Sequence, residues 1–199
     1  MAPLAAPSPF RPGHVVFPTA IGFIAMAWSG EGLVSLQLPG PDREATRKRL
    51  LKGLGAQAGV FPPAEEKALP PAVLEWVERI RAYASGEHAD FSDIPLDLAG
   101  VDPFRQDIYA AARKLDYGET TTYGELAARA GHPGEAREAG QALGANPVTI
   151  VIPCHRIMAA GGRIGGFSAH GGIATKRKLL AMEHARFGAP DPDQQSFGF

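Results

Sequence analysis

Asn146-Pro147-Val148-Thr149-Ile150-Val151-Ile152-Pro153-Cys154-His155-Arg156-Ile157 is the stretch on which the reading of this 199-residue chain turns. An apolar, strand-like run from Val148 to Ile152 delivers the chain's only cysteine against a proline. A free cysteine is most often a small buried hydrophobe. Here Asn146-Pro147 stands upstream, and Gly161, Gly162, Gly165 and Gly166 follow. Such backbone-permissive surroundings let a ligand come close, which a packing cysteine does not need. The placement predicts a nucleophile. A thiol of ordinary pKa, about 8.5, is mostly protonated at neutral pH, so it needs a base, and His155 is the nearest candidate. On a regular strand adjacent residues face opposite ways. His155 can therefore serve Cys154 only if Pro153 or the turn after it distorts the backbone, or if a water bridges the two.

Outward from the motif, Asp102-Pro103 opens a helix predicted over Pro103 to Leu115, with aspartate as N-cap and proline as the first helical residue. Thr122-Tyr123-Gly124-Glu125 has the spacing of a capping box and launches a helix through Ala130. Gly131-His132-Pro133 breaks it, and Gly134 to Gly144 forms a second helix poor in side-chain bulk, with Arg137 in its first turns. Two short helices joined by a tight turn suggest a helix-turn-helix. In the first half, Ile21 to Trp28 and Leu33 to Leu38 read as a hairpin, and Arg43 to Leu54 and Val73 to Ala84 as helices.

Several signatures occur in order from Pro103 to Glu183: Tyr117-Gly118-Glu119-Thr120, Thr122-Tyr123-Gly124, Ala145-Asn146-Pro147, Pro153-Cys154-His155-Arg156, Gly165-Gly166-Phe167-Ser168 and Lys176-Arg177-Lys178-Leu179-Leu180-Ala181-Met182-Glu183. In these the chain resembles the methylated-DNA-protein-cysteine methyltransferases, also called O6-alkylguanine-DNA alkyltransferases. The first hundred residues resemble the family only loosely. The resemblance implies an RNase-H-like α/β first domain and a mainly helical, winged-helix-like second domain. It implies irreversible transfer of a methyl or other small alkyl group from O6 of guanine to Cys154, with O4 of thymine left open as a second target. The target nucleotide would be flipped out of duplex DNA approached from the minor groove, since a stacked alkyl carbon is closed to in-line attack.

By the same resemblance, His155 is the base, acting through a water, and Glu183 orients it. Asn146 organises the turn, and Tyr123 donates a proton near guanine N3. Arg137 fills the space left by the flipped nucleotide, and Ile157, Ser168 and Gly165 line the alkylguanine pocket. An S-alkylcysteine is a thioether with a poor leaving group, and the chain has no second cysteine, so one molecule repairs one lesion without a cofactor. His184 follows Glu183 where many relatives have glycine. The loop Phe167 to Gly172 is longer than in some relatives.

The length and 45% apolar content suit two small domains. We expect loose ends at residues 1–13 and 188–199, an α/β domain over 14–99 and an alkyltransferase domain over 100–187. Net charge is −1, so the chain lacks a global nucleic-acid footprint, but the sign is uneven. Residues 1–99 carry 9 Lys and Arg against 11 Asp and Glu, whereas residues 100–185 carry 10 against 8. Arg156, Arg163 and the Lys176-Arg177-Lys178 cluster are candidates for phosphate contact, the cluster being otherwise a solvated helix face. The six histidines lack metal-ligand spacing, and no metal is expected. No apolar stretch approaches a membrane span, and a working thiol needs a reducing compartment, which predicts a cytoplasmic protein, and we expect it to be a monomer. Two other classes compete: a lesion-binding protein without catalysis, and a Cys-His hydrolase. The first would not need Cys154, and the second lacks an oxyanion-hole signature.

Overall fold

The computed structural model describes residues 11–185. The chain forms two compact units. Among the described residues, one comprises 11–101 together with 147–151, and the other 102–146 together with 152–185. The expected tails fall largely outside the described residues.

The first unit is built on an antiparallel meander of β1 (Gly13–Thr19), β2 (Gly22–Trp28) and β3 (Leu33–Gln37). Its register pairs Val16 with Ala25 and Phe17 with Ile24. Helices α1 (Arg43–Leu54) and α2 (Pro71–Ala84) complete it. Val16, Ala25 and Ala27 pack with Leu50 and Leu54 of α1 and with Phe61. Phe17, on the alternate face, lies under Arg81 of α2, with the guanidinium carbon 5.4 Å from the ring centroid. A sheet covered on both faces needs apolar side chains at successive positions, not alternate ones. That explains the unbroken burial from Ile24 to Trp28. It also hides β1 from pattern reading: Gly13-His14-Val15-Val16-Phe17-Pro18 shows no alternation, and its proline is tolerated because β1 is an edge strand.

The run 147–151, expected in the second domain as part of a strand, belongs to this first unit and is not a strand. The run makes isolated bridges only, with Val148 pairing in parallel with Leu36. The Leu36 amide donates to the Pro147 carbonyl at 2.9 Å, the Thr149 amide and hydroxyl donate to the Leu36 carbonyl at 3.2 and 2.7 Å, and the Ser35 hydroxyl donates to Pro147 at 3.0 Å. The pairing stops at Ile150, whose φ of +72° is rare for a β-branched residue. There the Val151 amide bonds the Thr149 carbonyl, a three-residue turn of the strained hand.

In the second unit, α3 (Pro103–Ala112) is capped by Asp102, which accepts from the Arg105 amide. β4 (Thr121–Thr122) leads directly into α4 (Tyr123–Arg129), and both bonds of the Thr122/Glu125 capping box are present. α5 (Ala136–Gly144) buries Ala139, Ala142 and Leu143. The Tyr109 hydroxyl of α3 reaches the Ala142 carbonyl at 2.8 Å. β5 (Ile157–Met158) runs parallel to β4, and α6 (Gly172–Met182) closes the unit. Among the described residues no helix is long and apolar enough to cross a membrane.

Candidate active site

Pro153 sets the geometry of the cysteine. With φ −80° and ψ 63° it forms a tight inverse turn in which the Cys154 amide donates to the Ile152 carbonyl at 2.8 Å. Asn146 donates its side-chain amide to that same carbonyl at 2.8 Å, which ties the segment just after α5 to the one before the cysteine. Cys154–Arg156 then form a single 3-10 turn, so the alternation of a strand does not apply and Cys154 and His155 need not diverge. Cys154 remains 6% exposed and opens on a cleft of about 300 Å³ lined by Tyr123, Gly140, Leu143, Gly144, Gly166, Phe167 and Ser168.

Next to the cysteine in sequence begins a buried hydrogen-bonded cluster of His155, Glu183 and Arg156. His155 Nε2 meets Glu183 Oε1 at 2.8 Å, with both residues essentially inaccessible. Burial pushes the imidazole below its ordinary value, with Glu183 pulling the other way, so His155 is neutral near pH 7. A neutral ring that donates from Nε2 keeps its lone pair on Nδ1, where it can take a proton. Burial raises the Cys154 thiol, opposed by hydrogen bonding from Asn146 and the charge of Lys176. The resting pair is therefore thiol and neutral imidazole, and the nucleophile forms only as the proton leaves.

Arg156 corrects one expectation. Expected to meet DNA, it is instead 6% exposed, and its guanidinium is spent inside the unit. Nε and Nη2 donate to the two Glu183 oxygens at 2.8 and 2.9 Å, and Nη1 donates to the Leu115 carbonyl at 2.8 Å. Burial alone would raise the Glu183 carboxyl, but the bonds from His155 and Arg156 outweigh it and hold the group well below the carboxylate range. A carboxylate so held orients the imidazole and does not compete for its proton.

The Tyr117-Gly118 signature braces the end of α6. Tyr117 donates its hydroxyl to the Met182 carbonyl at 3.0 Å, and the Gly118 amide donates to Glu183 Oε2 at 3.2 Å. A Cβ on Gly118, whose φ is +75°, would stand 2.7 Å from the Glu183 carbonyl oxygen, so only glycine fits. His184 takes the left-handed conformation with φ +51°. The helix still closes normally, because the Ala185 amide reaches Leu180 and the His184 amide reaches Ala181. The missing glycine therefore leaves Glu183 in place.

The other expected residues divide clearly. Tyr123 opens α4 and lines the cleft with Ser168. Burial raises the Tyr123 phenol, as does the neighbouring Cys154, so it stays a proton donor. Gly165, at φ +68°, passes so near Tyr123 that a Cβ would lie 3.5 Å from the ring. The Ile157 side chain is buried, and its carbonyl accepts from Lys176 Nζ. Arg137 is exposed on α5, the helix whose Gly140 and Gly144 line the cleft. Arg163, Arg177 and Lys178 are exposed, whereas Lys176, read with them as a surface cluster, is fully buried. Its position three and four residues before Leu179 and Leu180, both buried, was the available signal. Among the described residues no group of His, Cys, Asp and Glu could hold a metal.

A family model described as 6-O-methylguanine DNA methyltransferase, DNA binding domain, matches residues 103–185. A methylated-DNA–protein-cysteine methyltransferase of Mycobacterium tuberculosis is 37% identical over 166 residues, covering 83% of this chain and 88% of that protein. The crystal structure of Mycobacterium tuberculosis O6-methylguanine methyltransferase matches with a TM-score of 0.66 and 33% identity over 90% of this chain and 96% of that one. The corresponding crystal structure in complex with DNA matches with a TM-score of 0.66 and 34% identity over 89% and 96%.

Proposed function

Since the chain belongs to the methylated-DNA–protein-cysteine methyltransferase family, we propose that the cleft above Cys154 receives an alkylated guanine flipped from duplex DNA, and that the residues around it carry the transfer. The protein binds DNA containing alkylated bases and moves the alkyl group from O6 of guanine to its cysteine, as its relatives do. The observation that carries the assignment of roles is the sequence of contacts behind the cleft. Cys154 opens to it, His155 follows in the same turn, and Glu183, pinned by Arg156, holds the imidazole.

As Cys154 sulfur attacks the alkyl carbon, its proton passes to His155 Nδ1, through a water in the family's manner, and Glu183 stabilises the imidazolium. The S–C bond forms as the C–O6 bond breaks, and the bonding pair leaves with the purine. Tyr123 donates to N3, which offsets the charge developing there, and the imidazolium proton returns to the phenolate through solvent. Ser168 and the Ile157 carbonyl frame the base edge. Arg137, exposed beside the cleft on α5, occupies the gap in the duplex from the minor-groove side. Asn146 fixes the turn before the cysteine and hydrogen-bonds toward its sulfur. The thioether product has no route to discharge, so each molecule acts once, as a monomer needing no cofactor, in a reducing compartment such as the cytoplasm.

The test is a duplex bearing one O6-methylguanine with a labelled methyl group, mixed in excess with a known amount of protein, followed by peptide mass analysis. The expected result is one methyl per chain, on Cys154. Binding without any mass gain would favour a non-catalytic lesion reader, and turnover beyond one per chain would contradict the single-use mechanism.

A further inference from the structure

Lys176 is an anomaly. It lies on α6 with no exposed surface, and its Nζ donates to one main-chain carbonyl, that of Ile157. An ammonium taken out of water costs several kcal/mol unless its surroundings compensate, and a single carbonyl is slender compensation. A methionine would fill the same space without that cost. We propose that Lys176 is a positioning residue for the alkyl transfer, its ammonium pinned by the Ile157 carbonyl so that the Cys154 thiolate forms against a fixed positive charge.

The placement supports this from several sides. α6 packs directly on the 3-10 turn that carries Cys154, His155 and Arg156. Nζ lies 5.9 Å from the centroid of the Tyr123 ring, which lines the same cleft. The titratable and charged groups around it are Cys154 and His155 on that turn, Tyr123 on α4, and the Arg156–Glu183 pair behind His155. Arg156 is neutralised by Glu183, so its charge is committed elsewhere. Lys176 and Cys154 sense each other reciprocally: the ammonium lowers the thiol, and the thiol raises the ammonium. Burial brings Lys176 down to about 8, so it is charged at neutral pH and discharges in mild alkali. The step itself is unchanged, with no proton transferred to or from Lys176.

This inference rests on the alkyl-transfer reading, but one arm of its test does not. The first arm follows alkylation of Cys154, the chain's only cysteine, by iodoacetamide across pH in wild type, Lys176→Met and Lys176→Gln. The second measures single-turnover methyl transfer against DNA concentration. Losing the charge should raise the apparent thiol pKa by about one unit and lower the saturating rate at pH 7 roughly 10-fold, with half-saturation by DNA unchanged. The wild-type transfer rate should level off above pH ~8 while the variants' rates go on climbing with thiolate. Lys176→Met should melt no lower than wild type, which a structural lysine would not allow. If Lys176→Met fails to fold, Lys176→Gln, which keeps a donor and loses only charge, carries both readings. A folded variant with the wild-type iodoacetamide profile and transfer rate overturns the proposal. If wild type reacts with iodoacetamide but accepts no methyl from DNA, the alkyl-transfer reading fails and the first arm still decides the role of Lys176.

Discussion

Replacing Glu183 by Gln removes one charge at the point where two cationic or protonatable side chains converge. Glu183 is 2% exposed and accepts from His155 at 2.8 Å and from Arg156 at 2.8 and 2.9 Å. Glutamine keeps the volume but has one acceptor oxygen, and its amide would face a guanidinium N–H. Arg156, 6% exposed, would be left without a counterion. Breaking a buried pair on one side costs about 3–5 kcal/mol, and the urea midpoint should fall accordingly. The wild-type carboxyl is held below its ordinary value of 4.5, so its contribution is complete above that pH and is lost as pH falls toward the depressed folded value. The gap between wild type and Glu183→Gln should therefore be full at pH 7 and shrink in acid. Single-turnover transfer at pH 7 should drop roughly 100-fold or more, because the imidazolium loses its partner and its orientation. The assay is urea unfolding at pH 7 and pH 3.5 beside quenched single-turnover kinetics. An unfolding free energy at pH 7 unchanged to within about 0.5 kcal/mol, or a gap that widens in acid, would refute the reasoning.

Tyr123→Phe should leave stability and DNA binding near wild type and slow transfer roughly 10- to 100-fold, as expected when a proton donor to the leaving base is removed; an unchanged single-turnover rate removes Tyr123 from the mechanism. His184→Gly should stabilise the protein by up to about 1 kcal/mol, because glycine relieves the left-handed φ of +51° while retaining both helix-closing amides. A lower melting temperature would show that the His184 side chain contributes contacts outweighing that strain.

Where local chemistry decides local structure, the chain was legible. The Asp102-Pro103 start of α3, the Thr122/Glu125 capping box and the limits of α1 at Arg43 and Leu54 all form as read. The helices after them ended or began a little inside their expected limits, α3 at Ala112 and α5 at Ala136. The run before Cys154 reads as a strand because its β-branched residues favour one, yet Ile150 and Pro153 each fold the backbone over a three-residue turn. Composition does not reveal such turns. Arg156 and Lys176 deceive for another reason: Lys176 sits in a basic run that looks solvated, and Arg156 has no acidic residue near it in sequence to announce a buried partner. The partners that bury them, Glu183 and the Ile157 carbonyl, come from 27 and 19 residues away. Glu183 itself was found through the family signature alone, since a carboxylate at a helix end carries no local mark of burial.

The division of the chain at residues 101, 146 and 151 means that no single cut releases either unit whole. A fragment beginning at Asp102 would carry the buried residues Val148, Ile150 and Val151 away from the first unit, where Val148 and Thr149 pair with Leu36. The complementary fragment would lose the acceptor that satisfies the Leu36 amide. A gene fusion or transplant that borrows only the cysteine-bearing half would thus inherit an apolar loop evolved to be housed by its neighbour, and swapping first units among relatives demands that residues 147–151 travel with the half they do not adjoin in sequence.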